Sequence, residues 1–196
     1  ALLLLTAIVS MILGMGMPTT AVYVLLAVLV APALVQLGID PLGAHLFIFY
    51  FGMVSMITPP ICLAVYTAAA IVQADYMKTG LEATRLGIVA YIVPFLFVFS
   101  PTLLLKGSVV DVSLAAVTAV IGTVLLGVAL TGYLFREIAT LKRVLLGLAA
   151  LGLLFPHVGP GILFSWVTNA GGFAVAAAVL ASEVWGGFRL RHDVGV

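Results

Sequence analysis

Two stretches of this chain place backbone-breaking residues beside small oxygen-bearing side chains in an otherwise apolar setting. The first is Gly14-Met15-Gly16-Met17-Pro18-Thr19-Thr20 and the second is Ile57-Thr58-Pro59-Pro60. Proline has no N–H, so Pro18 denies the Gly14 carbonyl its helical donor, and Pro59 and Pro60 do the same to Ser55 and Met56. Freed carbonyls at a helix C-terminal end suit a small hard cation. The N–H groups of the helices that restart, expected at Thr19 and Ile61, suit a carboxylate. Thr19, Thr20 and Thr58 add neutral hydroxyl oxygens, and Gly14 and Gly16 allow a ligand close to the backbone.

The surroundings give these breaks their meaning. Residues 1–77 contain no Lys or Arg, and their only formal charges are Asp40 and Asp75, so both breaks are expected at membrane depth. Each exposed backbone N–H or C=O costs several kcal/mol in hydrocarbon, so unwound backbone persists there only where protein buries it or it lines a polar cavity. Paired breaks in separate hydrophobic segments point to a transporter's ion and substrate site. The candidate binding residues are therefore Gly14, Gly16, Pro18, Thr19, Thr20, Ser55, Met56, Thr58, Pro59 and Pro60. With no carboxylate near either break, a coupling proton has no carrier in these segments. Na⁺ needs only oxygen ligands, so Na⁺ is the expected coupling ion and no other cofactor is expected.

Other chemistries find little support. Ser165 and Ser182 lack a Gly-x-Ser-x-Gly setting or a paired base, and no Gly-x4-Gly-Lys-Ser/Thr phosphate loop is present, so neither nucleophilic catalysis nor ATP hydrolysis is expected. His157 has no second His, Cys or carboxylate at metal spacing. His45 reads as a packing or interface group, Asn169 as a helix-to-helix hydrogen-bonding residue, and Cys62, the single cysteine, as small packing filler. Pro32, Pro94 and Pro101 read as ordinary kinks.

At 64% hydrophobic and 8% charged residues, with a mean hydropathy of +1.35, the 196-residue chain reads as an all-α integral membrane protein. The basic residues are scattered singly, which argues against nucleic acid as a partner. Six hydrophobic units are legible. Residues 1–37 form two apolar arms around the first break, each too short to cross about 30 Å of hydrocarbon comfortably. A re-entrant hairpin or a single kinked span would both fit. Residues 42–73 read as one crossing, broken at Thr58-Pro59-Pro60 into arms of about 16 and 13 residues. In residues 74–86, Asp75, Lys78, Glu82 and Arg85 recur at helical period with Leu81 and Leu86 beside them, which predicts an amphipathic interfacial helix. Spans follow at 86–105 and 112–135, then a polar linker at 136–143, a shorter run ending at Pro156 and a last span over 161–185.

Charge orients the segments. If the hairpin opens outward, the loops at 74–85, 136–143 and 189–196 share one side and carry seven of the eight basic residues: Lys78, Arg85, Arg136, Lys142, Arg143, Arg189 and Arg191. Lys106 alone falls on the other side, so the first side is expected to be cytoplasmic.

At the two breaks the chain resembles the C-terminal part of the large membrane subunit of TRAP (tripartite ATP-independent periplasmic) transporters, in the fused 4TM/12TM form associated with TAXI-type binding proteins. The resemblance rests on the stretch from Gly14 to Tyr23, on Leu37-Gly38-Ile39-Asp40-Pro41, on Phe51-Gly52-Met53-Val54-Ser55-Met56-Ile57-Thr58-Pro59-Pro60 and on Ala83-Thr84-Arg85-Leu86-Gly87, in one order over about the first 105 residues. It implies a Na⁺-coupled, elevator-type permease of the inner membrane that receives small organic acids from a soluble periplasmic binding protein. It also implies that residues 1–105 are one half of an inverted repeat, and that 106–196 are a C-terminal membrane extension with no recognised motif. The partner repeat and the small membrane subunit are expected to precede Ala1 in a longer polypeptide. Cys62 stands where many non-fused relatives place glycine, a departure that bears on the substrate. An ion channel would also use exposed carbonyls. A structural membrane domain would fit residues 112–196, and an intramembrane enzyme would need an acid, base or metal constellation of which the sequence gives no sign.

Overall fold

The computed structural model describes residues 1–134, 137–154, 170–179 and 181, and these are helical without strands. They fall into two compact units, Ala1–Leu105 and Lys106–Val196.

The first unit is built around one helix, α4 (Pro41–Val54), and its neighbours explain why a helix of such uniform apolarity is stable there. Asp40 caps it by accepting from the Leu42 and Gly43 N–H groups at 3.0 and 3.4 Å, and Pro41 takes the first helical position, where a missing N–H costs nothing. A helix that is hydrophobic all round has no face to give to water and sits in a core or against lipid. Ala44, Phe47, Ile48 and Phe51 are accordingly buried against α1 (Leu2–Gly14), α2 (Thr19–Leu29), α3 (Ala31–Gln36) and α7 (Ile88–Phe99).

The direction of each neighbour follows from where it touches α4. The connection from α3 is only four residues long, so α2 and α3 run antiparallel to α4. The end of α1 meets the end of α4, because a Cβ on Gly14 would lie 2.9 Å from the Gly52 carbonyl oxygen. Ala7, one face-repeat earlier, belongs to the same core, so α1 runs parallel to α4. Hence α1 and α2 are the arms of a hairpin whose tip sits at the end of α4. Of the two readings the sequence left open for residues 1–37, the fold takes the hairpin.

Small residues set these approaches. Apolar side chains gain little from leaving lipid for protein, so close backbone contact carries helix association in a membrane. Gly52 is overlain by Val22 and Leu26, and Gly43 by the Phe97 carbonyl. Phe95 of α7 meets Phe47 and Phe51 edge-on at centroid separations of 5.2 and 5.6 Å.

Several boundaries differ from expectation. The second hairpin arm is interrupted at Val30, just before Pro32. After the second break the helix α5 (Leu63–Val72) restarts at Leu63 and not at Ile61, which leaves that arm 10 residues long. The predicted span at 86–105 is a 12-residue helix, α7, followed by a 3-10 turn at Pro101–Leu104. It continues from α6 (Tyr76–Leu86) with a bend of 41° at Gly87, and together the pair is long and apolar enough to cross a membrane.

In the second unit α8 (Val109–Thr131) is, among the described residues, the one unbroken helix with the length and apolarity for a crossing. It begins three residues before the predicted span, capped by Ser108, which accepts from the Asp111 N–H, and ends four residues before it at Gly132, where φ is +71°. α9 (Thr140–Leu154) packs back on it, with Gly122 against Leu154. Lys142 and Arg143, predicted in a linker, lie in the first turn of α9. Arg143 donates to the Ala129 and Leu130 carbonyls at 3.0 Å, which satisfies the open end of α8. A helical stretch at Ala170–Val179 completes the description. Arg136, Pro156, His157, Ser165, Asn169, Ser182, Arg189, Arg191 and most of the predicted 161–185 span lie outside the described residues.

Candidate ion and substrate site

Each break begins where a helix meets a proline that cannot donate. At the first, α1 stops at Gly14 and Gly16 turns the chain with φ +82°. Pro18, extended at ψ 148°, leads into α2 at Thr19, as expected. At the second, α4 tightens into a 3-10 turn at Ser55–Ile57, the chain runs extended at Thr58, and the cis Pro59-Pro60 pair carries it to α5.

The two breaks abut. A Cβ on Gly14 would lie 2.8 Å from the Ser55 Oγ, closer than carbon and oxygen can approach, so glycine is required for the contact. Gly16 faces Ile61 more loosely, its nearest neighbour at 3.9 Å. Gly14 and Ser55 are buried, Gly16, Pro18, Thr20 and Pro60 are exposed, and Thr19, Met56, Thr58 and Pro59 lie between. The fold thus brings Gly14, Gly16, Ser55 and the Thr58 to Pro60 turn together. No hydrogen bond joins the Thr19 or Thr20 hydroxyl to the second break.

The carbonyls expected to be free are mostly paired. The Met17 N–H reaches the Gly14 carbonyl at 3.5 Å and the Thr58 N–H reaches that of Ser55 at 3.3 Å. The reason is local: where the donor four residues on is a proline, the donor three residues on takes its place and the turn tightens. Both bonds are long and correspondingly weak. The Met56 carbonyl has no hydrogen bond among the described residues. The Ser55 Oγ donates to the Gly52 carbonyl at 2.6 Å, and the Thr58 Oγ1 donates to that of Val54 at 2.6 Å. Of the three threonine hydroxyls predicted to face a ligand, that of Thr58 is therefore tied back to the helix, as is the neighbouring Ser55 hydroxyl.

Sequence reasoning missed the residues that hold the second break from outside. α6 is amphipathic as predicted, with Asp75, Lys78, Leu81, Glu82, Arg85 and Leu86 exposed. Its other face is the informative one. Gly80 lies on Pro59 and Cys62, Thr84 Oγ1 donates to the Ile57 carbonyl at 3.2 Å, and Gly87 lies on Ile57. One turn further, in α7, the Tyr91 hydroxyl is 2.6 Å from Thr58 Oγ1. The signal was the spacing of Gly80, Thr84, Gly87 and Tyr91, which places them on one helical face opposite the charges.

An apolar helical fold in which a hairpin tip abuts a broken helix is consistent with a membrane permease component. The family model described as "Tripartite ATP-independent periplasmic transporter, DctM component" matches residues 1–112, and the chain belongs to that family, the large membrane component of TRAP transporters. The match covers the first unit and runs into the first turn of α8. No curated protein and no solved structure matches the chain.

Proposed function

We propose that the chain forms one half of the transport site of a Na⁺-coupled permease. This permease takes up small organic acids delivered by a soluble periplasmic binding protein across the inner membrane. The observation that carries this reading is the contact between the breaks, Gly14 against Ser55, which gathers weakly paired carbonyls and hydroxyl oxygens at one place in a family of transporters. Asp40 and Asp75 cap helices, and Glu82 is paired with Arg85 on an exposed face, so none of the three stands beside the breaks as a proton carrier. The oxygens of Gly14, Ser55, Met56 and Thr58 offer a hard, neutral ligand set of the kind an alkali cation takes. The N-terminal end of α2, with Thr19 and the exposed Thr20, offers N–H groups to a carboxylate. On this reading a second, inverted copy of the architecture completes the site.

The test is uptake of small radiolabelled carboxylates by the full-length permease in proteoliposomes, with its binding protein present. Uptake should follow an inward Na⁺ gradient. Thr58→Val, nearly isosteric but without the hydroxyl, should raise the Na⁺ concentration for half-maximal uptake, whereas Thr58→Ser should not. An unmade buried polar contact costs about 1–3 kcal/mol, which corresponds to roughly a five- to hundredfold change. Uptake driven equally well by a proton gradient in Na⁺-free buffer would overturn the reading.

A further inference from the structure

The hydrogen bonds at Thr58 have a direction that the donor inventory fixes. Thr58 Oγ1 lies 2.6 Å from the Val54 carbonyl and 2.6 Å from the Tyr91 hydroxyl. A carbonyl only accepts, so the single Thr58 hydroxyl proton is committed to Val54. Tyr91 must then donate to Thr58. With its proton placed and one lone pair taken, the Thr58 oxygen has one lone pair left, and its direction is set by the other two bonds.

Tyr91 is itself held firmly. Its ring packs against the core around α4, and Phe95, one turn further along α7, packs edge-on against both Phe47 and Phe51. On the preceding helix Thr84 holds the neighbouring Ile57 carbonyl, and Gly80 and Gly87 bring the bent α6–α7 pair close enough for both hydroxyls to reach. Two consecutive residues of the break, Ile57 and Thr58, are thus fixed from one helical face.

We infer that Tyr91 is a positioning residue of the ion site: its hydroxyl orients the remaining lone pair of Thr58, and so sets Na⁺ affinity without touching the ion. The inference rests on the Na⁺ reading given above. A ligand oxygen ordered in advance spares the cation the cost of ordering it, and that advantage is lost when the phenol O–H is removed.

Equilibrium binding of radiolabelled Na⁺ to the purified full-length permease tests this. Tyr91→Phe keeps the ring and its packing, and should raise the Na⁺ concentration for half-saturation about three- to tenfold, the effect of losing one ordering hydrogen bond. Thr58→Val should also raise it, and the Thr58→Val/Tyr91→Phe double variant should bind no more weakly than Thr58→Val alone, because Tyr91 acts through the Thr58 oxygen. Tyr50→Phe, whose ring packs on Phe97 and whose hydroxyl makes no hydrogen bond to the break, should bind as wild type. Wild-type affinity in Tyr91→Phe, or losses that add in the double variant, would overturn the role of Tyr91 while leaving the Na⁺ reading intact. Absence of saturable Na⁺ binding by the wild-type permease would overturn both.

Discussion

At the scale of single residues, the two glycines of the hairpin tip serve different ends. Gly14 is required by space: a methyl group there would meet the Ser55 Oγ at 2.8 Å and the Gly52 carbonyl oxygen at 2.9 Å. Backbone cannot step aside as a side chain can, so Gly14→Ala should push the tip off α4, with a loss of about 1–3 kcal/mol typical of overpacking and a larger loss of transport. Ser55→Ala in the same background should restore little, because the Gly52 carbonyl remains. Gly16 is required by conformation. It has φ +82° and room around it, so Gly16→Ala should cost about 1–2 kcal/mol through backbone strain alone. Thermal unfolding of the full-length permease in detergent, beside an uptake assay, separates the two effects.

Among elements, the bent α6–α7 pair is the one whose importance the composition of α6 concealed. A Cβ on Gly80 would meet the Pro59 ring at 2.9 Å, whereas one on Gly87 would meet the terminal carbon of the Ile57 side chain at 2.7 Å. The Ile57 contact is the more forgiving, since an isoleucine terminus can change rotamer and a proline ring cannot, and the second neighbour of a Gly87 Cβ, the Ala83 carbonyl oxygen at 3.0 Å, requires a shift of only a few tenths of an ångström. Gly80→Ala should therefore reduce uptake more than Gly87→Ala, and the reverse order would show that α6 does not buttress the break. The prolines of the break differ in the same way from those of ordinary helices. Restoring N–H groups with Pro59→Ala and Pro60→Ala gives the Ser55 and Met56 carbonyls helical partners and removes the extended turn. Pro94→Ala changes a helix that continues through its proline, and should leave uptake near wild type.

For the whole molecule, the distribution of charge predicts sidedness. On the sequence reading, in which seven of the eight basic residues share the cytoplasmic side, Lys78 faces the cytoplasm and the turn at Gly38 before α4 faces the opposite side. In intact cells expressing the full-length permease with Cys62→Ala, Leu37→Cys should react with a membrane-impermeant thiol reagent and Lys78→Cys should not. Both positions are exposed within their unit, so burial does not bias the comparison. Labelling of Lys78→Cys alone would invert the assignment.

Composition, the absence of Lys and Arg over residues 1–77 and the proline motifs were enough to read a TRAP permease component with helix breaks at Gly14 to Thr20 and at Thr58 to Pro60, because these features are local and backbone chemistry follows from residue type. The turn at Gly38 to Pro41 was equally local and placed the start of α4 within a residue, whereas the caps at Asp40, Asp75 and Ser108 came only with the structure, and α8 starts three residues before the expected span. Which groups satisfy the breaks was not local. That Met17 and Thr58 re-pair carbonyls deprived by proline depends on how tightly each turn closes. That Thr84 and Tyr91 reach Ile57 and Thr58 depends on a bend at Gly87 and on 27 and 33 residues of intervening chain. Only the packing of α1, α2 and α7 around α4 decided that residues 1–37 double back, that Gly14 meets Ser55, and that a helix read as interfacial holds the second break in place.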